Sequence, residues 1–307
     1  MKEIRGAVDL LSVISRYGTD DQCREYIAQL RWPDGVKCPE CQSTKISRVK
    51  ARHIYDCDSC RYQFSALVGT SFHDTHLPLT KWFYATYIMC ESRKGVSANQ
   101  LKRMLRVSYK TAWYLCHRIR HAMIEAQPLP KLKGTVEIDE TYVGGRIKGR
   151  GVQAGRDNKE CVVGIRQRGG TLRFFHAEDA KSGTLARYIR ENIDTDVEVM
   201  VTDEFSSYPF AIEKAGLAKG KHKTIEHKRR HYVDGDIHTN TVESAFSLPK
   251  RGIIGSWHRV SAKHLAAYLD EMTWRFNNRK NPFLFRDTIL KLIASDNLEY
   301  KELTKAA

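Results

Sequence analysis

The sequence predicts an α/β fold, a mixed five-stranded sheet with helices, preceded by a zinc ribbon and a helical, helix-turn-helix-like region. Three observations lead there. Two CxxC pairs, Cys38-Pro-Glu-Cys41 and Cys57-Asp-Ser-Cys60, flank residues 42–56. The run SANQLKRMLRVSYKTAWYLCHRIRHAM carries two amphipathic stretches with a tight link between them. From residue 134 onward the segments alternate in the order βββ-α-β-α-β-α. That order matches the ribonuclease H-like arrangement, in which the first and fourth strands lie side by side at the centre of a mixed sheet.

With 307 residues the chain exceeds one simple domain, and its 41% hydrophobic and 28% charged residues are ordinary for a folded protein rather than a disordered one. Fifty-one Lys plus Arg against thirty-six Asp plus Glu leave a net charge of +15, which favours a polyanionic partner such as DNA or RNA; the motifs below make double-stranded DNA the expected one. The apolar run WFYATYIMC is too short to span a bilayer, and Asp9 interrupts the apolar part of the start. The expectation is a soluble, untargeted protein with no membrane partner.

Residues 1–35 read as a helical lead-in, with Thr19 or Asp20 as cap and Trp32-Pro33-Asp34-Gly35 as stop. The ribbon follows at 36–66. Four thiolates on two tight knuckles, Cys38, Cys41, Cys57 and Cys60, can surround one structural Zn²⁺ and leave no coordination position open. The segment between the knuckles reads as hydrophilic and strand-poor, and His53 within it as a bystander. The region 67–127 is helical: Thr80 caps KWFYATYIMCESRKG, and stretches 97–105 and 108–124 form the helix pair, joined at Arg106-Val107. The second helix would present Tyr109, Lys110 and Arg118 to a major groove.

PLPKLKG is a linker into the catalytic region, 134–285, after which 286–307 reads as a C-terminal tail. GTVEIDETYVGG, KECVVGIRQRGG and TLRFFHAE are β-rich runs with Gly-containing turns. A helix at GTLARYIRENI, a strand at VEVMVTDEF, a short helix closed by Gly216, a fifth strand in KHKTIEH and helices near 240–250 and 261–278 complete the region. Asp270 and Glu271 of the last helix are expected at the surface.

Within VEIDETYVGG, Val136 and Ile138 point to one side of a strand, so Glu137 and Asp139 point to the other. Neighbouring first and fourth strands bring Asp139 together with Asp203 of VTDEF. Two adjacent carboxylates repel, a cost that makes sense around a cation with hard oxygen ligands, Mg²⁺ or Mn²⁺. Glu137 or Glu140 assists or faces solvent. Glu243 in HTNTVESAFSLPKRG is the third candidate, with Lys250 two helical turns along the same face. Asn240 and Glu243 also have capping-box spacing, and Pro249 is positioned to kink the helix that carries Lys250.

IDETYVGG, VTDEFSSY and HTNTVESAFSLPKRG, in that order behind a four-cysteine ribbon, resemble the DDE-type transposases of bacterial insertion sequences, in the ISXO-like branch with an amino-terminal zinc ribbon. The resemblance spans nearly the whole chain. It implies a ribonuclease H-like domain using two divalent metals, with Asp139, Asp203 and Glu243 as acidic ligands, Lys250 as the basic residue that follows, and Asn240 as rival or helper for the third ligand. It further implies cleavage of element ends to free 3′-OH groups and their joining to target DNA, by a homo-oligomer in a bacterial cytoplasm at the nucleoid. Lys219, Lys221, Lys223, Lys228, Arg229, Arg230 and Arg251, with Arg146, Lys148 and Arg150, are the basic residues placed to meet phosphates, and Trp257 and His258 are placed either to touch DNA or to pack. A DNA-binding regulator without catalysis, or a structure-specific nuclease on the same fold, is the alternative.

Overall fold

The computed structural model describes residues 8–125, 128–144, 159–225 and 238–305. Of the basic residues named above, Arg146, Lys148, Arg150, Lys228, Arg229 and Arg230 lie outside the described residues. The chain separates into two compact units: Met1–Met123 with Lys280–Ala307 form unit 1, and Ile124–Arg279 form unit 2. No helix among the described residues is long and apolar enough to cross a membrane.

Unit 1 begins with α1 (Leu10–Arg16) and α2 (Asp20–Arg31), the latter started by a reciprocal capping box between Thr19 and Gln22. The ribbon is a three-stranded antiparallel sheet of β1 (Ile46–Val49), β2 (Ile54–Cys57) and β3 (Gln63–Phe64). The segment between the knuckles is thus a hairpin and not strand-poor, because Val49 pairs with Ile54, Arg48 with Tyr55 and Ile46 with Cys57 across the two strands. His53 has the left-handed φ of 52° that closes its turn, and it sits 3.5 Å from Asp21, so it serves the loop and not the thiolates.

Helices α3 (Leu79–Glu91), α4 (Ala98–Leu105) and α5 (Tyr109–Ala122) follow. Pro78, and not Thr80, precedes the first turn of α3; the Thr80 amide donates instead to Asp20 Oδ1 at 3.2 Å. Ser97 and Ser108 cap α4 and α5, and Arg106 takes a left-handed φ of 49° between them, giving the expected tight link. The C-terminal residues are not a tail. They form α10 (Leu284–Ala294) and α11 (Tyr300–Thr304) within unit 1, where Phe285 packs on Tyr17 and Phe83 and the Ser71 amide donates to Leu292 O at 2.9 Å.

Unit 2 is built on β4 (Thr135–Val143), β5 (Glu160–Gln167), β6 (Leu172–Ala177), β7 (Val199–Asp203) and β8 (His222–Ile225), in the spatial order β6-β5-β4-β7-β8. β4, β5 and β6 form an antiparallel meander; β7 and β8 continue it in parallel with β4. The first and fourth strands are neighbours, as the mixed α/β reading requires. Both faces of the sheet are covered. Val136 and Ile138 join Leu185, Ile189, Tyr208 and Ile212 of α6 (Ser182–Asn192) and α7 (Ser207–Ala215). On the opposite face Val162, Leu172 and Phe174 pack on Val242 and Phe246 of α8 (Asn240–Gly252) and on Leu269 and Met272 of α9 (Ala262–Asn277). Glu271, expected at the surface, is fully buried beside Arg275 at 3.6 Å, and Asp270 is largely withdrawn from water, because α9 is covered on more than one side.

Candidate functional site

Position along the strands decides which carboxylates meet. Glu137 on β4 is the register partner of Val201 on β7. Two residues further on, on the same face of each strand, stand Asp139 and Asp203. Adjacent strands are about 4.8 Å apart, so the two side chains rise next to each other. Backbone amides hold each in place: Glu140 N donates to Asp139 Oδ1 at 2.8 Å and Phe205 N to Asp203 Oδ1 at 3.0 Å.

The electrostatics record the crowding. Burial pushes the Asp139 carboxyl up to about 7, and the charges of Glu140, Asp203 and Glu243 push in the same direction. Glu243, exposed in the first turn of α8, is thus close enough for its charge to act on Asp139. Its neighbour Glu140 points to the other side of the sheet, where the hydroxyl of fully buried Tyr208 donates to Oε2 at 2.6 Å. Tyr208 went unnoticed in the sequence, although its place in a helix behind the fourth strand is the available signal.

Helix α8 approaches the sheet closely enough to bring Glu243 in because residue 164, opposite Asp139 on β5, is a glycine. A Cβ there would lie 2.7 Å from Phe246 Cζ and 3.1 Å from Val242 Cγ2. The helix also runs unbroken over Pro249 to Gly252 before a π-helical turn, Ile253–Trp257. Lys250 keeps its place two turns after Glu243, exposed, with Nζ 5.9 Å above the Phe246 ring. Arg251 is exposed and donates back to Ser247 O at 3.1 Å. Trp257 packs: it lies 4.6 Å from Tyr268 and against Gly252, while His258 stays exposed.

The capping-box alternative is not the one adopted. Thr239 precedes the helix, exposed Asn240 is its first residue, and Thr239 Oγ1 donates to Glu243 Oε1 at 2.6 Å. The helix's first amides find their acceptor in Glu137, whose Oε2 receives Thr241 N at 3.0 Å and Val242 N at 2.9 Å. Glu137 neither faces solvent nor lines the site; it is fully buried.

In unit 1 the four cysteine Sγ atoms all lie within 4.8 Å of one another, with Cys38–Cys60 at 3.6 Å and Cys41–Cys57 at 3.5 Å. A tetrahedron with Zn–S near ~2.3 Å has edges of roughly 3.8 Å, so the donor set fits one zinc, and the separations are too long for disulfides. Among the described residues this is the cluster that meets that spacing. Asp139, Asp203 and Glu243 do not meet that spacing, and their hard oxygens and mutual repulsion would suit a hard divalent cation rather than zinc on thiolates.

The helix pair exposes less than expected. Tyr109 is 49% accessible and Lys110 is exposed, its Nζ 4.3 Å above the Tyr300 ring. Arg118 is not on the surface. It is buried, donating to Ser71 O, to His73 O at 3.3 Å and to Asn297 Oδ1 at 2.5 Å, because α3 and the C-terminal segment close over the middle of α5.

Comparison with known proteins agrees with this architecture. Residues 131–277 match the family model of the ISXO2-like transposase domain, and residues 18–63 match that of a transposase zinc-ribbon domain. The chain is 32% identical over 281 residues, 83% of its own length and 90% of the relative's, to an uncharacterized protein in transposable element ISH50 of Halobacterium salinarum.

Proposed function

This chain belongs to the ISXO2-like transposase family, and we propose that it cleaves the ends of its insertion sequence to free 3′-OH groups and joins those ends to target DNA. What supports the reading is that Asp139 and Asp203 stand at matching positions on two adjacent strands and that Glu243, in the first turn of α8, adds its charge to those acting on Asp139. Asp139, Asp203 and Glu243 are the residues that would hold two magnesium or manganese ions. Such ions, when bound, supply Lewis acidity toward phosphoryl oxygens and offset the repulsion among the three carboxylates.

The chain's own groups do the remaining work. Backbone donors keep Asp139 and Asp203 from rotating away from each other. Lys250 offers a cation to a DNA phosphate on the Glu243 side of α8, and Arg251 and Asn240 flank it as further contacts to the strand. Tyr109 and Lys110 open α5, the end of a recognition helix that reaches base edges. The ribbon, held by one structural zinc on Cys38, Cys41, Cys57 and Cys60, stiffens the DNA-binding unit. Two ends must be held together for transposition, so the active assembly is at least a dimer on DNA.

The test is cleavage of labelled element-end DNA with Mg²⁺ by the wild-type chain and by Asp203→Asn. The variant should bind the DNA normally and cleave at least about 100-fold more slowly. Equal cleavage by both would remove the site; end binding with no cleavage by wild type would leave a DNA-binding regulator.

A further inference from the structure

We propose that Glu137 is the positioning residue of this site: a buried carboxylate on β4 that caps helix α8 from the neighbouring strand and so fixes Glu243 beside Asp139 and Asp203. The inference rests on the assignment of those three carboxylates and adds a residue that does not itself touch metal or DNA.

Four contacts define the anchor. Glu137 Oε2 accepts from Thr241 N at 3.0 Å, Val242 N at 2.9 Å and Thr241 Oγ1 at 2.7 Å, while Oε1 accepts from Arg168 Nε at 2.6 Å. His238 Nδ1 comes within 3.3 Å of the same Oε1. Two arginines extend the clamp to the backbone around the helix start: Arg168 donates to His238 O at 2.8 Å and Arg166 donates to Thr241 O. The second and third amides of α8, which have no partner inside a helix, are thereby satisfied from outside it.

A fully buried carboxylate is an expensive way to hold a helix when an apolar contact would pack as well. What it adds is directional. A charge at the helix N-terminus meets the positive end of the macrodipole, and two amide bonds fix both the height and the rotation of the first turn. Because Glu137 and Asp139 are two residues apart on one face of one strand, the offset between the helix anchor and Asp139 is a single strand repeat, about 6.6 Å. Glu243 lies one residue past the anchored pair Thr241–Val242. The strand therefore acts as a ruler between the first and third acidic ligands.

The experiment uses the full chain, with Glu137→Gln as the main variant. Its amide places an N–H group against Arg168 and removes the charge facing the helix. Amide hydrogen exchange should rise at least about 10-fold for residues 241–246 and stay unchanged in β4 and β7. Mn²⁺ affinity, measured by the loss of the free-ion Mn²⁺ EPR signal on titration with the protein, should fall about 5-fold or more, and end cleavage should fall with it, while DNA-end binding by unit 1 is retained. If Glu137→Gln is too unstable to purify, Thr241→Val removes the 2.7 Å hydroxyl contact alone and should shift exchange and Mn²⁺ affinity in the same direction by a smaller factor. Unchanged exchange at 241–246 with unchanged Mn²⁺ affinity would overturn the proposal, as would a uniform rise in exchange across unit 2, which marks a merely structural role. Locally raised exchange in a protein whose Mn²⁺ binding is indifferent to Asp203→Asn would support the anchor and defeat the metal-site assignment instead.

Discussion

Asp270 illustrates how much a single acidic side chain in α9 can cost. Burial raises its carboxyl to about 6 from an ordinary 3.8, and Glu125 pushes the same way. The folded chain therefore holds that proton more tightly than the unfolded one. Its contribution to stability is fully present below the unfolded value, declines as pH rises from about 4 to about 6, and is gone above that; the decline is on the order of 2 kcal/mol. Asp270→Asn should abolish the decline and give a higher thermal midpoint than wild type at pH 8. A variant midpoint equal to or below wild type at that pH would show that the charge is well solvated. Asp139 has a similar upward shift, but the charges acting on it are the other carboxylates of the proposed site, whereas Asp270 has no use in the proposed chemistry.

Helix α5 shows a division of labour between its two ends. Lys110 is exposed at the start, while Arg118, two turns later, serves the interior. Lys110→Ala should weaken element-end binding several-fold and reduce its salt dependence, with no change in thermal midpoint. Arg118→Ala should behave in the opposite way, leaving Ser71 O, His73 O and Asn297 Oδ1 without their donor and costing about 3 kcal/mol. Denaturant unfolding and a binding titration on the same two proteins decide it. The contrast also marks where sequence reading stops. The placement of Asp139 and Asp203 on neighbouring strands was legible because alternation with Val136 and Ile138 is a local, period-two signal, and the order of elements made their strands neighbours. The cysteine pairs were legible by spacing. Arg118 looked like a surface cation because its acceptors lie 45 or more residues away, and Glu137 looked idle because its amide partners are 104 and 105 residues along the chain. Gly164 gave no signal either, since what it makes room for is a ring on α8.

At the scale of the whole molecule, the basic charge, the zinc ribbon and the acidic site divide between two units of different character. The connectivity is less simple than a row of modules, because α10 and α11 belong with the N-terminal unit, tied to it by Phe285, by Cys90 to Thr288 at 3.3 Å and by Tyr114 to Leu298 O at 2.5 Å. The ribosome makes the two halves of that unit at different times, with residues 124–279 emerging between them. Nascent chains stalled when Arg279 has just cleared the ribosomal exit tunnel should therefore contain a protease-resistant unit 2 beside a sensitive N-terminal portion that becomes resistant only after residues 280–305 have emerged. Resistance of both at the earlier stall would mean that the closing helices are dispensable. During synthesis, the unit that carries the ribbon and the helix pair would thus be finished after the unit that carries the acidic residues.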